Sequence, residues 1–144
     1  MIKNERQYRI TKAQAEKFVK AIREMAESPV REEHPVLRKA QIDALKSQLE
    51  DLQREIKEYE ILRSGKRKVV MLGSLEELPK TLIQARIAAG LSQEDLAAKL
   101  GLKPQQIQRY EATEYQAASF ERVQEIMRVL GVKLQRPATL RVAS

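Results

Sequence analysis

The sequence predicts an all-α protein in two parts. The first is an N-terminal helical hairpin whose long second helix is heptad-patterned; the second is a C-terminal domain built around two short helices and a tight turn, with a short β-strand pair at its edge. Three observations carry the prediction. Residues 91–111, LSQEDLAAKLGLKPQQIQRYE, hold two short amphipathic segments on either side of Gly101. Ile42, Leu45, Leu49, Leu52, Ile56 and Tyr59 recur at alternating three- and four-residue steps, which is a heptad seam. Aromatic residues are only 4% of a chain that is 42% apolar, so its cores must be made of Leu, Ile, Val and Ala, a composition that suits helices.

From the N-terminus, Thr11 with Gln14 reads as a capping box, and Ala15, Phe18, Ile22 and Met25 form one apolar stripe that ends near Ser28-Pro29. A polar connector through His34-Pro35 leads into the long helix, which should run to Leu62. At the usual rise per residue the long helix would measure about 42 Å and the first helix, from Thr11 to Glu27, about 25 Å. One helix cannot cover the other. Leu45, Leu49, Leu52, Ile56 and Tyr59 are therefore expected to serve an interface, either with a second copy in a homodimer or with a different protein, unless residues 1–10 cover the far end. The plain alternative is a self-contained hairpin in which Tyr8 and Tyr59 only pack.

Residues 63–74 read as a basic linker, with Val69-Val70-Met71-Leu72 as a short strand ending at Gly73. The tail segment Val132 to Leu134 could pair with it. Ser74 with Glu77 forms a further capping box, opening a helix through Leu78, Leu82, Ile83 and Ile87 in which Pro79 falls early enough to be tolerated. The next helix begins at Ser92, capped with Asp95, and presents Leu96, Ala97 and Leu100 inward; Gly101 closes it. Pro104 then suits a first helical turn, so the following helix runs from Pro104 to Ala112. Ile107 and Tyr110 are expected inside, which leaves Gln105, Gln106, Gln108 and Arg109 pointing outward. Ser119 can cap a last helix with Phe120, Val123, Ile126, Met127 and Leu130 as its core face. Residues 1–62, 63–74, 75–132 and 133–144 are thus hairpin, linker, domain and tail.

The outward side chains are amides and a guanidinium, groups that bond base edges and phosphates alike. With Arg86, Gly90-Leu91-Ser92-Gln93, Gly101, Ile107 and Glu111, the stretch from Leu75 to Leu134 resembles the helix-turn-helix of the XRE or Cro/C1-type regulators. The resemblance implies that Gln93 holds a phosphate at a helix N-terminus, that Gln105 and Arg109 touch bases, and that Arg86 and Glu111 form an internal ion pair. It also implies a double-stranded DNA operator as partner, bound by a dimer, and repression of transcription. Pro104 departs from the family by standing where a base-contacting side chain is usual, which shifts reading to Gln105, Gln106 and Arg109. Lys103 stands where a serine usually caps the helix and suits a phosphate instead. Thr113, Tyr115 and Gln116 in the loop after the reading helix are further phosphate candidates.

Charge is sorted along the chain. Residues 1–62 hold 13 basic and 12 acidic side chains and residues 69–132 hold 7 and 8, so the net charge of +7 comes from Arg63, Lys66, Arg67 and Lys68 and from Lys133, Arg136 and Arg141. Basic runs on both sides of a reading helix can neutralise phosphates; Lys66, Arg67 and Lys68 are the linker candidates, with a solvated linker as the plain alternative. There is no cysteine, which excludes disulfides and thiolate metal sites and fits a cytoplasmic setting. No apolar run is long enough for a membrane span. The single histidine, His34, has no nucleophile or ligand cluster in the sequence around it, and no phosphate-cradling glycine loop is present, so no enzyme, cofactor or metal is expected.

The start Ile2-Lys3-Asn4-Glu5-Arg6-Gln7-Tyr8, two helices ending in Tyr59-Glu60, and a C-terminal helix-turn-helix together resemble HigA-type antitoxins of toxin-antitoxin pairs. That resemblance implies a cognate toxin as a partner of the N-terminal helices.

Overall fold

In the computed structural model the described residues are 1–28, 34–66, 72–136, 139 and 141–142, and their regular secondary structure is helical, with no strand among them. The chain divides into two compact units, residues 1–66 and 67–144. The proposed strand at Val69 to Leu72 and the side chains of Arg67 and Lys68 lie largely outside the described residues. Val132 to Leu134 is described and is not a strand.

The first unit is an antiparallel hairpin of α1 (Glu5–Glu27) and α2 (Pro35–Arg63). α1 starts six residues earlier than the Thr11 capping pattern predicts. Asn4 is the cap: its side chain accepts from the Gln7 N–H at 2.9 Å, while the Gln7 amide oxygen accepts from the Lys3 N–H at 2.8 Å. These reciprocal bonds satisfy end donors that Thr11, inside the helix, cannot. The first helix is therefore about 35 Å long against about 43 Å for α2, and its early turns cover the end of the seam. Tyr59 is 6% exposed and stacks on Tyr8 at 5.2 Å between ring centroids. Its assignment to an external interface is thus corrected: it belongs to the hairpin's own core. Leu45, Leu49, Leu52 and Ile56 face α1 and are half-buried.

Polar contacts fasten both ends of the hairpin. The Tyr8 hydroxyl donates to Glu60 at 2.6 Å. Arg63 donates to both oxygens of Glu5, at 3.2 and 3.0 Å, and lies over the Tyr8 ring. At the other end the Arg38 guanidinium donates to the carbonyls of Met25 and Ser28, the last turn of α1, where helix carbonyls otherwise lack partners. His34 caps α2, its Nδ1 accepting from the Val36 N–H at 3.4 Å.

The second unit opens with a 3-10 turn, Leu75–Glu77, followed by α3 (Leu78–Ala88), α4 (Gln93–Leu100), α5 (Pro104–Ala112) and α6 (Phe120–Leu130). The Ser74 capping box does not form, because Glu77 reaches past Ser74 and accepts from the Gly73 N–H at 2.7 Å. Leu82, Ile83, Leu96, Ile107 and Ile126 are at most 1% exposed and make the core on which all four helices converge. Phe120 is not part of it. It is 76% exposed, because it is the first residue of α6, where the chain enters from the Ser119 cap, before the core face is reached.

Candidate nucleic-acid interface

The two helices at the centre of the second unit begin and end on local chemistry. At α4 the Ser92 hydroxyl accepts from the Asp95 N–H at 3.0 Å and the Asp95 carboxylate accepts from the Ser92 N–H at 2.9 Å. The Ser92 N–H, with the Ser92 hydroxyl donating to the same carboxylate at 2.7 Å, holds the Asp95 carboxyl below its usual value. Gly101 ends α4 with φ 66°, a left-handed backbone that glycine adopts without steric cost. At α5 Lys103 cannot accept a capping bond. Gln106 compensates, its side-chain oxygen accepting from the Lys103 N–H at 3.1 Å.

A buried polar cluster fixes the mutual arrangement of α3, α4 and α5. Arg86 and Glu111 are 2% and 0% exposed. Arg86 donates through Nε to Glu111 Oε1 at 2.6 Å, through one terminal nitrogen to Oε2 at 2.9 Å, and through the other to the Leu91 carbonyl at 2.7 Å. The internal ion pair is therefore present, and it has a third member. Gln93 is 6% exposed and donates its amide to Glu111 Oε2 at 2.6 Å. This corrects its reading as a surface phosphate ligand: the position at a helix N-terminus is as expected, but the side chain turns inward toward a carboxylate. Charge-assisted bonds of this kind are the strong ones.

α5 therefore buries Ile107 and Glu111, with Tyr110 half-buried beside them. At about 100° per residue, Gln105, Arg109 and Ala112 lie opposite that inner face, and Gln106 and Gln108 lie on its two flanks. All five are exposed, as is Lys103 just before the helix. Among the described residues the side chains of Gln105, Gln108 and Arg109 make no hydrogen bond within the protein, whereas Gln106 has committed its oxygen to the cap.

The loop after α5 separates three candidates. Thr113 is exposed and its hydroxyl bonds the Arg109 carbonyl at 3.0 Å. Gln116 is exposed. Tyr115 is not a surface residue: it is 5% exposed, stacks near Tyr110, and its hydroxyl has no hydrogen-bond partner among the described residues. Its phosphate assignment is thereby corrected. Glu114 and Tyr115 both adopt left-handed φ, 48° and 61°; this turn folds Tyr115 back under the helix, a conformation that no residue type in the segment announces. Burial, with the Glu111 carboxylate nearby, pushes the Tyr115 phenol well above its ordinary value. Lys66, Lys133 and Arg136 are exposed.

Two short helices crossing at a glycine turn, the second with a locked inner face and an outer face of amides and a guanidinium, define a helix-turn-helix DNA-binding domain. Residues 82–136 match the family model of the Helix-turn-helix. This unit is therefore a helix-turn-helix domain of the XRE type. No curated protein and no solved structure matches the chain. Among the described residues no helix is long and apolar enough to cross a membrane.

Proposed function

We propose that this regulator binds its operator as a homodimer and represses transcription, with Gln105 and Arg109 reading bases from the centre of the outer face of α5. The observation that carries this reading is the division of α5 into a hydrogen-bonded inner face and an outer face whose donors are uncommitted. Arginine can bond the O6 and N7 of guanine together, and glutamine the N6 and N7 of adenine. Gln108 and the remaining amide hydrogens of Gln106 flank these two, and the exposed Lys103, Thr113 and Gln116 meet phosphates in this reading. Lys66, Arg67 and Lys68 before the domain in sequence and the basic tail after it add sequence-independent attraction.

The test uses duplexes enriched from a random pool by the full-length protein. Arg109→Ala or Gln105→Ala should lose about 1–3 kcal/mol on the enriched site and little on random duplex, because base contacts specify and phosphate contacts do not. Lys103→Ala should weaken both DNAs and lower the log-log salt slope by about 0.9. Equal losses on the two DNAs for Arg109→Ala and Gln105→Ala would refute the assignment.

A further inference from the structure

The seam residues of the hairpin are spent within one chain, yet the two-helix pair does not bury them. Ile42, Leu45, Leu49, Leu52 and Ile56 of α2, with Phe18, Ile22 and Met25 of α1, all remain half-buried. Two helices touch along one line and leave each side of that line to water. The two sides of this hairpin differ sharply. The residues just before the first seam row, Gln7, Gln14 and Ala21 in α1 and Gln41, Gln48 and Glu55 in α2, recur at seven-residue steps. In an antiparallel pair these rows fall on the same side. Ile10, Leu37 and Ala44 extend that side outward, and all three are exposed. The one carboxylate in these two seven-residue rows, Glu55, is neutralised by the α-ammonium of Met1 at 3.1 Å. On the other side the corresponding rows carry Glu5, Lys12, Lys39, Lys46 and Glu60.

We propose that two chains pack these glutamine-lined sides face to face, closing the half-buried seams into a four-helix bundle. This rests on the reading of the protein as a homodimer and gives that dimer its surface. A second copy is the occupant the chemistry favours. The rows next to the seam have no net charge to attract a basic or acidic protein, whereas their glutamine amides hold donor and acceptor together and so can pair with their own two-fold copies. The size also fits. A face two helices wide and about 35 Å long offers about 700 Å² per chain, close to the roughly 800 Å² per partner of a standard interface. Charged side chains at Lys17, Glu24, Asp51 and Glu58 border it as a rim.

The full chain should sediment as a dimer at micromolar concentration. Ala21→Glu with Ala44→Glu should weaken dimerisation about a hundredfold or more, since like charges would meet across the interface. Val19→Glu with Ala26→Glu, on the opposite side, should leave it unchanged. Helical circular dichroism should be the same for both pairs. Because the chain has no cysteine, Gln48→Cys adds a single thiol, which should give a covalent dimer on mild oxidation where Lys12→Cys does not; this readout decides the matter even if the glutamate pair fails to fold. A wild type that stays monomeric overturns both the homodimer and this surface. A wild-type dimer that survives the glutamate pair and gives no crosslink through Gln48→Cys overturns the surface alone, as does dissociation by the Val19 and Ala26 pair only.

Discussion

Replacing Glu111 by glutamine keeps the shape of the side chain and removes its charge, so it isolates what the carboxylate does in the core of the DNA-binding unit. Its two oxygens accept from Arg86 Nε at 2.6 Å, from an Arg86 terminal nitrogen at 2.9 Å and from Gln93 Nε2 at 2.6 Å. An amide nitrogen in either place sets a donor against a donor. It also leaves the guanidinium, 2% exposed, without a counter-charge. Breaking a buried pair in this way costs about 3–5 kcal/mol. A domain of this size loses about 4–8 °C per kcal/mol, so the melting transition of the helix-turn-helix unit should fall by at least about 12 °C in calorimetry of the full chain. The transition of the hairpin, which contains none of these residues, should not move. A shift below about 4 °C would refute the reasoning. The triple variant Arg86→Met, Gln93→Met, Glu111→Leu should recover most of the loss, because apolar replacement of a whole buried charged cluster is often neutral.

Tyr115→Phe should stabilise the same unit by about 1 kcal/mol, since it removes a buried hydroxyl that has no partner, and a lower melting temperature would show that the hydroxyl is engaged. The raised phenol pKa sets the sign of its pH effect: the stability it carries is present below the unfolded value, about 10, and is lost as pH rises beyond it. Tyr115→Phe should therefore flatten the alkaline side of the stability profile. The opposite sign applies at Asp95, whose pKa is depressed by its bonds to Ser92. Its contribution is present above the ordinary value of 3.8 and lost as pH falls through the folded value, so Asp95→Asn should reduce the acid-side slope measured by denaturant titration; an unchanged slope would sink the prediction.

Helix boundaries in the second unit were legible because backbone chemistry fixes them. Gly101, Pro104 and the Ser92–Asp95 pair each permit few conformations, and the bounds of α5, Pro104–Ala112, match the expectation. The start of α1 was not, because the Thr11–Gln14 pattern has the same form as the real cap and only Tyr8, in register with Ala15 and Ile22, points to an earlier beginning. The directions of side chains were harder still. A glutamine at a helix N-terminus fits an outer phosphate or an inner carboxylate equally well. Gln93 turns inward to bond Glu111, a partnership between residues 18 apart that no local pattern encodes. Tyr115 was hidden by two left-handed residues in succession at Glu114 and Tyr115, neither of them glycine. In the hairpin the seam itself was plain, but the neutral rows beside it mean something only once the antiparallel pairing places them on one side.

Positions that hold α5 in place and positions that face outward barely overlap. Ile107 and Glu111 tie the helix to its neighbours, whereas Gln105, Gln108 and Arg109 can be exchanged without disturbing any bond within the described residues. On the proposed reading of α5, a lineage carrying this scaffold is free to change which sequence it recognises by drift at three surface codons, leaving fold and thermal tolerance intact. Gln106 is the exception: as both a flanking side chain and the cap of its own helix, it is the position where a new recognition specificity would be traded against the stability of the helix that carries it.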